Sequence, residues 1–313
     1  MAVVAPAGPI PHARLVQGAS VLERLGFDVR LGAHVLGREG YLAGTDRERA
    51  LDLLSLWARK DVAAVFCARG GYGTARIVDA LTPAFLRRHP KVFCGFSDIT
   101  TLHAACARAG LVTFYGPMVA WDLAHGVARP PRSRRKALEL ATATAISKSG
   151  GFDEASLRAM LMESGKGQVI GSPAVEPLVR GRATGRLVGG CLSMLVATLG
   201  TPEEIDTGGA ILVLEDEKEP PYRIDRMLTH LRRAGKLDRV RGIVLGDFPE
   251  CQPPGSDLAA LLRDRLGDLG VPVAWRFPVG HTLQPNVTLP LLARATLDAG
   301  KGTLTIEETP TIR

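Results

Sequence analysis

The run KVFCGFSDITTLHAACAR, Lys91–Arg108, reads as a short apolar strand, a tight corner and a helix. Lys91–Gly95 supplies the strand, and Thr100–Arg108 supplies the helix. Ser97 stands at the corner between them, two residues after Gly95. A serine hydroxyl is a poor nucleophile unless the backbone presents it to a base and aims amide hydrogens at the developing oxyanion. A strand–turn–helix corner can do this, as in the G-x-S-x-G elbow of hydrolases. Here the five residues are Gly95-Phe96-Ser97-Asp98-Ile99, so the final glycine is replaced. Ser97 or Asp98 could equally cap the first turn of the helix, and this stretch alone leaves both readings open.

Upstream, Val62–Phe66 is a continuous apolar run bounded by charge, the pattern of a buried parallel strand. It leads into Ala68-Arg69-Gly70-Gly71-Tyr72-Gly73 and a helix expected near Thr74–Leu81. Before it, residues 2–5 predict a first strand, Arg14–Leu25 a helix, and Asp28–Arg30 a second short strand. Thr45 is expected to open the helix Asp46–Arg59 without the glutamate of a full capping box. Strands alternating with helices of this length predict an α/β fold with a parallel, doubly wound sheet. In such sheets the ligand crevice lies beyond the carboxyl ends of the strands. The Gly70 loop and Ser97 both fall on that edge.

The Pro-, Arg- and Ala-rich stretch from Arg129 to about Lys166 marks a change of pattern. We expect a first domain over residues 1–145, a linker over 146–166 and a smaller, β-rich second domain over 167–313. Short strands punctuated by glycine surround three helices there, near Leu192–Leu199, Ile224–Ala234 and Leu258–Leu266. That mixture predicts an α+β domain with a curved or barrel-like sheet.

The 313 residues are 46% hydrophobic and 23% charged, the composition of an ordinary globular chain long enough for two cores. A net charge of +7 is concentrated in runs such as Arg129–Lys136. Those runs lack interleaved aromatics, aromatics are only 5% of the chain, and no nucleic-acid partner is expected. The five cysteines are odd in number and lack C-x-x-C spacing, which argues against a disulfide framework or a zinc-finger site. No apolar window is long enough to span a membrane, and the N-terminus lacks the basic start of a signal peptide. A cytoplasmic location is expected.

A nucleophilic serine needs a base and a group that orients it. Of seven histidines, His12, His34, His89 and His125 sit in polar or turn contexts, and His230 lies on an amphipathic helix. His103 falls six residues after Ser97, on another face of the helix. His281 differs, because it follows the apolar run Phe277-Pro278-Val279-Gly280 and is held at a strand end. For the carboxylate, the apolar strand Ile211–Leu214 ends abruptly in Glu215-Asp216-Glu217, and Glu215 is nearest the strand. A solvated acidic turn balancing Arg223 and Arg226 is the competing reading. Gly70-Gly71-Tyr72-Gly73 can bring backbone N–H groups close to a substrate. It matches no phosphate-binding pattern, and it fits oxyanion donation together with the Asp98 amide.

Four ordered motifs carry a family resemblance: Ala-Arg-Gly-Gly-Tyr-Gly (68–73), Gly-Phe-Ser-Asp-Ile-Thr (95–100), Leu-Glu-Asp with Pro-Tyr-Arg-Ile-Asp-Arg-Met-Leu (214–216 and 221–228), and Pro-Val-Gly-His (278–281). The chain resembles the LD-carboxypeptidases, the muramoyltetrapeptide carboxypeptidases, over nearly its whole length. The resemblance implies a serine peptidase that removes the terminal D-alanine of murein tetrapeptides during peptidoglycan recycling. Ser97 would be the nucleophile, His281 the general base and Glu215 the residue that orients it. Backbone amides of Gly70, Gly71 and Asp98 would form the oxyanion hole. The resemblance also implies a Rossmann-like first domain, no metal or other cofactor, a small peptide substrate and a homodimer. Three other functions share features with this reading: a microcin C-immunity type of peptidase acting on peptidyl or aminoacyl nucleotides, a non-catalytic murein-peptide sensor, and a nucleotide-binding module.

Overall fold

The computed structural model describes residues 1–127, 133, 135–136 and 149–310. Residues 146–148 of the expected linker, and residues 129–132 and 134 of the basic run, lie outside the described residues.

The first half of the chain alternates strands and helices. β1 (Ala2–Val4), β2 (Arg30–Leu31), β3 (Ala64–Cys67), β4 (Val92–Gly95) and β5 (Thr113–Tyr115) pair in the order β2-β1-β3-β4-β5, all parallel. α1 (His12–Arg24), α2 (Asp46–Ala58), α3 (Pro83–Arg88) and α4 (Thr100–Arg108) accompany them. β1, β3 and β5 are buried throughout, which explains the unbroken apolar runs of β1 and β3. The strand order reverses between β1 and β3, the switch point at which open α/β sheets form their crevice. The expected parallel α/β architecture is present.

Two local expectations need correction. Thr45 does open a full capping box: its side chain accepts from the Glu48 amide, and the Glu48 carboxylate accepts from the Thr45 amide. Position N3 is Glu48, three residues after the Thr45 N-cap, so the glutamate of the box is present. The helix expected near Thr74–Leu81 is two short 3₁₀ turns, Thr74–Arg76 and Val78–Ala80. Thr74 is drawn out of a regular helix by its bonds to Asp98, described below.

α5 (Glu154–Leu161) precedes the second half, whose strands are β6 (Val169–Gly171), β7 (Glu176–Val179), β8 (Arg182–Cys191), β9 (Ala210–Glu215), β10 (Gly242–Leu245) and β11 (Val273–Trp275). β12 (Leu289–Leu291), β13 (Arg294–Asp298) and β14 (Thr303–Ile306) complete the chain. Eight of these form one mixed sheet in the order β6-β14-β13-β8-β9-β10-β11-β7. Its centre, β8-β9-β10-β11, is parallel, and its flanks are antiparallel. α6 (Leu192–Ala197), α7 (Pro221–Arg233) and α8 (Leu258–Leu266) follow β8, β9 and β10 as crossovers, which explains the parallel centre. β12 leaves this sheet and pairs antiparallel with β5, adding an edge strand to the first sheet. Pro290 is tolerated there because an edge strand can spare a donor.

The core divides along the second sheet. Leu212 and Leu214 of β9 pack with Leu228 of α7 and Leu262 of α8. Ile211 and Val213, on the other face, join the cluster that contains the first sheet. Odd-numbered positions of β9 therefore face the first sheet.

Candidate active site

The corner after β4 holds Ser97 at φ 64°, a left-handed conformation that a non-glycine residue adopts only under constraint. A 3₁₀ turn, Ser97–Ile99, then feeds α4. Neither Ser97 nor Asp98 caps that helix with its side chain. The Asp98 carboxylate instead accepts from the Thr74 amide at 2.9 Å, and the Thr74 hydroxyl donates to the Asp98 carbonyl at 2.6 Å. These two bonds tie the exit of the glycine loop to the serine corner.

That loop approaches Ser97 closely. A Cβ placed on Gly70 would lie 2.9 Å from Ser97 Cβ and 3.0 Å from its Oγ, so only glycine fits. The Gly70 carbonyl accepts from the Gly8 amide at 3.0 Å. In a trans peptide this turns the Gly71 N–H to the opposite side, and Gly71 lines the cleft in front of Ser97.

Glu215 arrives from the second sheet. As the odd-numbered end of β9 it continues the Ile211–Val213 face toward the first sheet, and it is fully buried. Its Oε2 accepts from both the backbone amide of His281, at 2.8 Å, and the ring Nδ1, at 2.7 Å. The loop that carries His281 passes so close that a Cβ on Gly280, at φ 72°, would lie 2.3 Å from the Glu215 carboxyl carbon. Asn286 holds that loop by accepting from the Gly280 amide at 3.0 Å. The competing reading of Glu215 as part of a solvated turn does not hold; Arg223 instead pairs with Glu219.

The remaining Glu215 oxygen, Oε1, accepts from the Tyr115 hydroxyl at 2.5 Å. The same hydroxyl accepts from the Ser97 amide at 3.2 Å. One buried phenol from β5 thus joins the serine corner of the first sheet to the carboxylate of the second. Sequence reasoning missed Tyr115. Its only signal was its place at the end of an apolar strand, on the same sheet edge as Ser97.

Ser97, His281, Gly70, Gly71 and Asp98 line one cleft of about 280 Å³. The Phe96 ring meets the His281 ring edge-on, with centroids 5.0 Å apart, so the residue before Ser97 forms a wall for the imidazole. His281 Nε2, the nitrogen not held by Glu215, faces Glu217 Oε1 at 3.5 Å. Among the described residues the Ser97 hydroxyl makes no hydrogen bond. His103 is buried elsewhere, between the Thr113 hydroxyl and the Gly95 carbonyl, and burial pushes it down to about 4.

Burial disfavours a charged His281, but the charge and hydrogen bond of Glu215 outweigh it, and Glu217 and Asp216 add to that attraction. The imidazole is therefore held above its ordinary value. Burial likewise works against ionised Glu215, yet His281 and the Tyr115 hydroxyl keep it below the usual carboxylate value. An ionised, buried carboxylate fixes the tautomer and direction of an imidazole. Such a ring can exchange a proton with a neighbouring hydroxyl.

Comparison with known proteins agrees with this architecture. Residues 1–116 match the LD-carboxypeptidase N-terminal domain, and residues 184–297 match the LD-carboxypeptidase C-terminal domain. A Bacillus subtilis protein named as a probable murein peptide carboxypeptidase is 38% identical, over 97% of this chain and 90% of its own. The muramoyltetrapeptide carboxypeptidase of Oxalobacter formigenes is 31% identical, with a TM-score of 0.82 over 99% of this chain and 100% of its own. The microcin C7 self-immunity protein shares the fold, with a TM-score of 0.84 at 22% identity over 99% of this chain and 96% of its own. No helix among the described residues is long and apolar enough to cross a membrane. The chain belongs to the LD-carboxypeptidase family of peptidases.

Proposed function

We propose that this hydrolase cleaves the amide between an L-configured centre and the terminal D-alanine of murein tetrapeptides, as a step of peptidoglycan recycling. Ser97 is the nucleophile, His281 the general base and Glu215 the group that holds His281. The observation that carries this reading is the two-point grip of Glu215 Oε2 on His281, in a cleft that also contains Ser97.

Neutral His281 takes the proton of Ser97 Oγ through Nε2 as Oγ attacks the scissile carbonyl. The tetrahedral oxyanion is received by amides of the Gly70-Gly71 loop and of Asp98. Its collapse breaks the C–N bond, and His281 returns the proton to the departing amine of D-alanine. Water then gives a proton to His281 and attacks the acyl ester, releasing the shortened peptide and restoring Ser97. Substrate must displace Glu217 from Nε2 for the serine–imidazole hydrogen bond to form.

The names of the relatives with more than 30% identity favour a murein peptide. The microcin self-immunity protein, solved with aspartyl sulfamoyl adenosine, is a likeness of fold alone. Mass spectrometry of a defined murein tetrapeptide beside an aminoacyl-sulfamoyl adenosine separates the two substrates. Loss of one alanine from the tetrapeptide is expected from the native enzyme and not from Ser97→Ala. An untouched tetrapeptide, or retained activity in Ser97→Ala, would refute the assignment.

A further inference from the structure

The catalytic cleft does not end at the glycine loop. Arg69 and Gly71 also line a second, more open hollow of about 700 Å³, with Arg38, Tyr41 and Tyr72 on its other sides. We propose that this hollow binds the anionic acyl-side part of the peptide, the part that stays with Ser97 when the last residue leaves. The inference rests on the carboxypeptidase reading and deepens it.

Three observations carry it. The first is asymmetry of space. An enzyme that removes one terminal residue needs a small site on the leaving side and an unbounded one on the acyl side. The cleft at Ser97 is the smaller of the two, and the hollow beyond Arg69 is larger and more open to solvent. The second is charge. Asp216 and Glu217 line the second-sheet end of the cleft, where the one lysine, Lys218, is shared with Glu217 at 3.2 Å. With two carboxylates against one ammonium, that end does not suit a chain carrying several carboxylates. Around the hollow stand two guanidinium groups, Arg38 and Arg69, and among the described residues neither is ion-paired. Arg69 spends one donor on the Pro9 carbonyl at 2.9 Å and keeps others of its five free for a carboxylate. The third is the pair Tyr41 and Tyr72, 65% and 49% exposed, with ring centroids 5.8 Å apart. Exposed aromatic faces beside a cationic rim supply broad amphipathic contact at low entropic cost. A peptide with several carboxylates, with or without a sugar attached, matches this surface.

The test uses Arg38→Glu and Tyr41→Ala, both on the solvent side of the hollow and outside the Ser97 cleft. Release of D-alanine is measured on a murein tetrapeptide and on an N-acetylated LD-dipeptide with the same scissile bond. Calorimetry measures binding of the murein tripeptide left after cleavage. The ratio of kcat/KM for tetrapeptide over dipeptide should fall about tenfold in Arg38→Glu, and tripeptide affinity should weaken by a similar factor. Tyr41→Ala should change both in the same direction. An unchanged ratio, or a tripeptide that binds the variants as tightly as the native protein or binds neither, overturns the assignment. Failure of the native enzyme to release D-alanine, with tripeptide binding still weakened by Arg38→Glu, would sink the activity and leave the hollow as a peptide site.

Discussion

The two halves of the proposed catalytic cleft are built by different means. On the first sheet, Ser97 is presented by backbone: a strand end, a left-handed corner and a glycine loop pressed against it, all within about thirty residues of chain. On the second sheet, Glu215 and His281 stand 66 residues apart and meet as a hydrogen-bonded carboxylate–imidazole pair. The first half depends on backbone conformation and the absence of a Cβ at Gly70; the second depends on a charge and its hydrogen bonds, with Gly280 allowing the close approach. A site built this way can be damaged from either side by changes of different kinds.

The largest effect should come from the charged half. Glu215→Gln keeps the size of the side chain but removes the charge that holds the imidazole, and kcat should fall by about 10³- to 10⁴-fold. A loss below tenfold would show that Glu215 does not orient the base. Gly70→Ala attacks the other half, forcing a methyl to within contact of Ser97. We expect kcat/KM to drop about a hundredfold, with the circular dichroism spectrum unchanged. Activity close to native would mean that the loop can retreat without cost, contrary to the packing.

Tyr115→Phe removes the hydroxyl that bonds both the Ser97 amide and Glu215. Its ring can stay in place, so the expected result is a fall in kcat of about tenfold with little change in KM. A change confined to KM would place Tyr115 in substrate binding instead. The smallest effect concerns pH. In the proposed mechanism the base works when neutral, so kcat/KM should fall as pH drops through the His281 pKa, which is held above the ordinary imidazole value. Glu217 contributes to that elevation. Glu217→Gln should therefore move the acid limb of the profile to lower pH, by about one unit. A limb that stays in place, or moves upward, would remove Glu217 from the electrostatics of the base.

The same contrast explains what the sequence revealed. The corner position of Ser97 was legible because strand, corner and helix are contiguous, and the Gly70 loop because its glycines are. Glu215 was legible as the first polar residue after an apolar strand, and alternation along β9 accounts for its direction. The Thr74–Leu81 helix was misjudged because helical spacing there says nothing of the bonds that Asp98 makes to Thr74. The parallel centre of the second sheet was not foreseen, since short glycine-punctuated strands read alike in parallel and antiparallel sheets. Likewise, nothing in Leu289–Leu291 discloses that it crosses back to pair with β5. Tyr115 escaped notice because a hydroxyl that bridges two sheets has no local pattern. Contacts between distant segments have to be seen.

Whether Ser97 and His281 act as one unit is best tested by comparing D-alanine release from a murein tetrapeptide by Ser97→Ala, by His281→Ala and by the double variant. Residues of one catalytic unit lose their effect together, so the double variant should be about as slow as either single one. Losses that multiply in the double variant would mean that the hydroxyl and the imidazole act independently, and would contradict the account.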